Sequence, residues 1–181
     1  MKRLIVIGAI MLMVAGMVSV ARAGSSDTMT LTVSVTAALD VTIHATDYDF
    51  GSVALNSTTI STTSTAVKNS SSNAVETYQL KVSAGVSGWT IADSTGTKDY
   101  VRIQAIWNTA QPGSVADDTA HNLDIGGKTC DGANFVGDES HNGDSVDATI
   151  QELLWFKLWT PEQSTSEGEK KFYLTITASL G

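Results

Sequence analysis

Apolar and polar residues alternate with a period of two along most of this chain, which predicts strands rather than helices. Residues 28–36 place Met29, Leu31, Val33 and Val35 on one face and Thr and Ser on the other. Residues 39–45 do the same with Leu39, Val41 and Ile43, and the turn that follows sends Phe50 and Val53 inward. Within the Ser/Thr-rich stretch 56–72, Ile60, Ala66 and Val67 predict a polar, exposed strand pair. Residues 76–82 bury Tyr78, Leu80 and Val82 while Thr77, Gln79 and Lys81 face water. After a short strand at Trp89, residues 99–107 align Val101, Ile103, Ala105 and Trp107, the pattern of a central strand.

Residues 149–160 form the most apolar run outside the N-terminus, and periodicity alone fits a buried strand or a short helix. The aromatic Trp-Phe-Lys-Leu-Trp sequence and Pro161 directly after it favour the strand. Phe172, Leu174, Ile176 and Ala178 alternate in a closing strand over 170–180. Between the last two groups and the first lies an irregular stretch, 108–147, rich in Gly, Asp, Asn and Ser. It reads as an insert, with short pairings expected near 122–125 and around Phe135. The expected fold is all-β: an antiparallel two-sheet β-sandwich of immunoglobulin-like type with roughly seven to nine strands. A closed barrel is the alternative.

The N-terminus changes the picture by supplying a location. Lys2 and Arg3 precede an apolar run from Leu4 to Val20, and Ala21-Arg22-Ala23 has the small-residue pattern of a signal-peptidase site. Residues 1–23 are therefore expected to be a cleaved signal peptide, and 24–181 a single extracellular or cell-surface domain. A transmembrane anchor is the competing reading of the same run, but 17 residues broken by Gly8 and Gly16 are short for a span. No Cys stands at position 24 to take a lipid, and no membrane insertion is expected after cleavage.

Loss of Lys2, Arg3 and Arg22 with the leader takes the formal charge from −8 to −11. So acidic a chain repels nucleic acid and anionic membranes, and neither is an expected partner. The single cysteine, Cys130, has no internal partner; it is a quiet loop thiol, an intermolecular bridge or a reactive group.

Two segments carry a family likeness. The run from Val33 to Val41 followed by Tyr48-Asp49-Phe50-Gly51-Ser52-Val53 resembles the opening of secreted bacterial surface β-sandwiches, the pilin-like and spore coat protein U-like subunits. The closing run from Glu169 to Ala178 is similar to their last strand. The likeness covers both ends of the chain and little of its middle, and the cysteines that several of those families carry near the first strands are absent. The resemblance implies a fibre, pilus or coat role and brings no catalytic residues with it.

Three constellations are candidates for a site. Met29, Leu31, Val33 and Val35 have the spacing of a donor or edge strand, which implies self-association or pairing with other surface proteins. Trp155 and Trp159 share one face of their strand and are a candidate binding surface, for another subunit or for polysaccharide. That second use makes a monomeric carbohydrate-binding module the alternative function. Asp138, Glu139 and Asp144 lie in the densest acidic part of the insert, where Ca²⁺ is the cation the atoms suit, although the D-x-D-x-D-G spacing is missing. Zinc would use His121, His141 and either Cys130 or a carboxylate, with no H-E-x-x-H or paired C-x-x-C to hold them. Gly85-Val86-Ser87-Gly88 is one residue short of a nucleophile elbow. No enzyme and no obligatory cofactor are expected.

Overall fold

The computed structural model describes residues 29, 32, 33, 37–45, 47–85, 88–94, 98–138 and 141–181. The chain divides into two units, Met1–Val35 and Thr36–Gly181. In the first, Met29 and Val33 are exposed and outside any strand. Leu31, Val35, the expected leader and most of the strand expected over 28–36 lie outside the described residues.

The second unit is all-β. Its strands are β1 (Val41–Ile43), β2 (Thr58–Ile60), β3 (Thr65–Asn69), β4 (Glu76–Ala84), β5 (Thr90–Ile91), β6 (Tyr100–Trp107), β7 (Lys128–Thr129), β8 (Gln151–Trp159) and β9 (Phe172–Leu180). One sheet runs β1-β3-β8-β6-β5, with β2 also on β8; the other runs β7-β4-β9. Every pairing is antiparallel except that of β5 with β6. This is the expected two-sheet architecture. Its immunoglobulin-like connectivity is a finer reading that this strand order does not establish.

The long apolar run is a strand because it is central. β8 pairs β6 along one edge and β2 and β3 along the other, so both its backbone edges are satisfied. Leu154, Phe156 and Leu158 join the core between the sheets, and Trp155 and Lys157 are also buried on the far face. Burial on both faces accounts for a continuous apolar run where an alternating one is the rule.

The Ser/Thr-rich stretch differs from its expected form. β2 and β3 do not pair with each other; they lie end to end along β8, and Val67 is fully buried. Ser61 keeps the ladder going between them. Its amide donates to the Phe156 carbonyl at 2.8 Å, and the Phe156 amide donates to its Oγ at 3.0 Å.

The insert has a structural role. Ala105 N donates to His121 O, Leu123 N to Ile103 O and Trp107 N to Phe135 O, so 121–135 extends the free edge of β6. The same insert reaches β4, which receives Val82 N to Asp124 O, the β7 pairing and the reciprocal Glu76–Val146 bonds. It thus stitches β6 of one sheet to β4 of the other along one side of the sandwich. The pairings expected near 122–125 and Phe135 are these stitches.

Candidate functional site

Among the described residues the opposite side has no such closure. β9 pairs β4 along one edge, residue for residue from Glu76↔Leu180 to Ala84↔Phe172, and among the described residues no strand pairs its other edge. Facing it across the gap are β1 and the segment 47–53. That segment is held by Asp49, whose Oδ1 accepts the Gly51 amide at 2.7 Å, and by Tyr48, whose hydroxyl accepts the Thr62 amide at 2.7 Å. Gly51 has φ +67°, a left-handed turn that glycine adopts without strain and other residues seldom do. The turn brings Phe50 edge-on to Tyr48, with ring centroids 4.8 Å apart, and Tyr48 against Phe156.

Between these two edges lies a groove of about 1130 Å³. Its floor is the core itself, with Val82, Ile103, Leu123, Phe156 and Leu158 from both sheets. Its lips are Ile43, Ala45 and 47–53 on one side and 168–174 on the other. The burial pattern follows the gap. Across the β4–β9 pair, Tyr78, Leu80 and Val82 are at most 2% exposed, whereas their partners Ala178 and Leu174 are half-buried and Ile176 is 8% exposed. Val41, Ile43, Phe50, Val53 and Phe172 are likewise half-buried. These residues point inward yet lack a layer over them. An extended segment lying beside β9 would find both main-chain partners and apolar pockets at alternate positions, the two requirements of strand addition.

The other sequence candidates are dispersed. Trp155 and Trp159 do share the outer face of β8, but the insert lies over part of it. Trp155 is 7% exposed, packed with Ile106 and Val115, and its Nε1 donates to Asn108 O at 2.9 Å. Its ring is covered and offers no stacking surface. Trp159 is half-buried with two cations over its ring, Lys157 Nζ 4.8 Å and Arg102 Cζ 5.9 Å from the centroid. Lys157 in turn donates to Val115 O, and Arg102 bonds Asp117, Asn122 and Asp118 O, so both cations fasten the insert to the sheet.

Asp138 accepts from Thr109 N and meets His141 Nδ1, while Asp144 accepts from the Thr77 hydroxyl. Glu139 lies outside the described residues. The two aspartates therefore serve different turns, and among the described residues no three His, Cys, Asp or Glu groups converge as a metal site. His121 is occupied by Asp118 and Val136 O. Cys130 follows β7 outside any strand, in a loop as expected, and is fully buried in the core. Its Sγ accepts from Trp107 Nε1 at 3.3 Å, and burial pushes the thiol up to about 12.

Two buried carboxylates escaped the sequence reading. Glu76 is fully buried, with Oε1 accepting the Asp40 amide and Oε2 without a hydrogen-bond partner. Glu152 is 4% exposed, and Oε2 accepts the Gly143 amide at 2.8 Å. Burial raises Glu152 above the usual carboxyl range, opposed by that bond and by His141. Both stand in the inward phase of their strands, Glu76 with Tyr78 and Leu80 and Glu152 with Leu154 and Phe156, and that phase was the available signal. Comparison with protein-family models and with curated proteins gives no match for this chain.

Proposed function

We propose that this chain is a secreted structural subunit of a pilus, fibre or surface coat, assembled by strand addition at the groove beside β9. The observation that carries the reading is the one-sided closure of the sandwich: the insert seals β6 to β4, while Phe172, Leu174 and Ala178 of β9 and Val41 and Ile43 of β1 stay half-covered among the described residues. The segment 27–35 is the strand the reading assigns to such a groove. It matches β9 in length, nine residues each, and presents Met29, Leu31, Val33 and Val35 at alternate positions. Burying four such side chains is worth about 1.5–3 kcal/mol apiece before ordering costs. Ladder bonds to the edge of β9 that no strand among the described residues pairs fix the register.

The test uses residues 24–181, a truncation beginning at 37, and a synthetic peptide of residues 27–36. The truncation is expected to bind the peptide and melt at a higher temperature with it. A peptide carrying Leu31→Asp and Val33→Asp is expected to do neither. Equal behaviour of the two peptides, or no binding of either, would overturn the proposal.

A further inference from the structure

Asn142-Gly143, in the last part of the insert, is the one Asn-Gly pair in the chain. Glycine puts no Cβ beside its own amide nitrogen, so in a mobile, solvated chain that nitrogen reaches the preceding side-chain carbonyl carbon and closes a cyclic imide. The fold has its own use for both residues. Gly143 is buried at φ +70°, where a Cβ would stand 2.5 Å from Trp107 Nε1 and 2.8 Å from Cys130 Sγ, so no larger residue fits. Asn142, half-buried, supplies the Oδ1 that accepts the Asp144 amide at 2.9 Å.

The docked insert pins the atoms that cyclisation must move. Gly143 N donates to Glu152 Oε2 at 2.8 Å, and Gly143 O accepts from Tyr78 N at 2.8 Å, so the glycine is held at both ends by neighbouring strands. The Asn142 side chain is held forward on Asp144, whose own carboxylate accepts from the Thr77 hydroxyl at 2.8 Å. Attack requires Gly143 N to give up its proton, which would leave an amide anion against a buried carboxyl group, and the core penalises that heavily. It also requires the nitrogen to swing off Glu152 toward Cγ of Asn142, breaking a buried hydrogen bond on the way.

We propose that Asn142-Gly143 is a self-modification site, unreactive while the insert is docked on Glu152 and Tyr78 and converted to an isoaspartyl linkage whenever the insert stands open. In the open chain the Gly143 nitrogen loses its proton to solvent and bonds to Cγ of Asn142. The Cγ–Nδ2 bond breaks, and Nδ2 leaves as ammonia with a proton taken up from solvent. Water then opens the imide. Cleavage at Cγ gives an aspartyl residue on the original backbone; cleavage at the main-chain carbonyl gives the isoaspartyl form, whose backbone runs through Cβ and Cγ. That form carries one extra methylene immediately before Gly143. The glycine then no longer reaches Glu152 and Tyr78 together beneath a Trp107–Cys130 wall that has no room for added atoms, so the insert does not redock. The conversion is one-way, and the site records how long the closing side of the sandwich has stood open.

The experiment holds residues 24–181 at mildly alkaline pH, in native buffer and in urea, and maps the peptide containing position 142 by mass and by enzymatic methylation of isoaspartyl carboxyls. Asn142→Ser is the blank. The urea sample is expected to convert at Asn142 with the isoaspartyl product in excess. The native sample is expected to convert roughly tenfold or more slowly, because reaction there waits on local opening. Glu152→Ala, shown by its melting curve to be folded, is expected to convert faster than the wild type in native buffer. Glu152→Gln keeps an acceptor oxygen and is expected to hold the wild-type rate. After removal of urea the isoaspartyl fraction is expected not to regain the native melting curve, whereas Asn142→Asp, which adds the charge on an unaltered backbone, refolds. Equal rates in native buffer and urea, no conversion at 142 in urea, a folded Glu152→Ala no faster than the wild type, or an isoaspartyl fraction that refolds normally overturns the proposal. Should Glu152→Ala not fold, the native-to-urea ratio and the refolding comparison decide it.

Discussion

The backbone amide of Asp40 donates to Oε1 of Glu76 at 2.7 Å, so a fully buried carboxylate on β4 fixes the point where the chain enters β1. Glu76 Oε2 has no partner and the neighbouring Tyr78 hydroxyl has none either. Glu76→Ala removes the acceptor and leaves the Asp40 amide unpaired, at an expected cost of about 1–3 kcal/mol. Glu76→Gln keeps the acceptor and is expected to recover much of that loss. Urea denaturation of the three proteins measures the difference directly.

Glu152 makes stability depend on pH with a definite sign. Its folded-state pKa lies above the ordinary 4.5, so the folded chain holds the proton more tightly than the unfolded one. The contribution is complete below 4.5 and is lost as pH rises through the raised folded value. His141, Asp138 and the amides of Gly143 and Asn142 face the same carboxyl and set its final position. Glu152→Gln, neutral throughout, should gain on the wild type as pH climbs from about 4 to about 8. Melting curves that keep a constant separation over that range would refute this.

Gly143 and Gly137 close the insert over Trp107, and neither position has room for a methyl group. A Cβ at Gly143 would stand 2.5 Å from Trp107 Nε1 and 2.8 Å from Cys130 Sγ, on a backbone with φ +70°. At Gly137 it would stand 1.7 Å from the Trp107 carbonyl oxygen. Alanine at either site is expected to cost about 2 kcal/mol or more, with Gly137→Ala the worse because it meets backbone. For a chain of this size that is a fall in Tm of about 4–8 °C, read by calorimetry or by tryptophan fluorescence.

Cys130 should be chemically silent in the native protein. With a thiol pushed up to about 12 and no solvent exposure, it presents almost no thiolate at neutral pH. A thiol reagent at about pH 8 is expected to label it only after denaturant is added. Rapid labelling of the native chain, or a disulfide-linked dimer on a non-reducing gel, would contradict its burial.

Most strands were legible because their cause is local. Alternation placed β4, β6 and β9 within a residue or two, and it assigned Trp107, Val101 and Ile103 to the core, where they are. Proline after Thr160 correctly argued β8 a strand. The Ser/Thr-rich stretch was misjudged because β2 and β3 take their partner, β8, from almost a hundred residues away, and composition carries no record of that distance. Trp155 was misjudged for a related reason. Its outward phase was read correctly, but the insert folds back over that face and buries it.

The amino-acid sequence by itself determined the class of this protein, because a period of two along successive segments permits only sheets with one face turned inward. It also determined which side chains each strand contributes to the core. Tertiary structure decided which side of the sandwich is closed. The insert hydrogen-bonds to both β6 and β4, while β9 and β1 meet with no strand between them among the described residues. Whether an edge is paired depends on segments far apart in the chain reaching the same place. Pairing at that range is fixed by the balance of loop-closure entropy against burial over the whole fold, which no local pattern encodes.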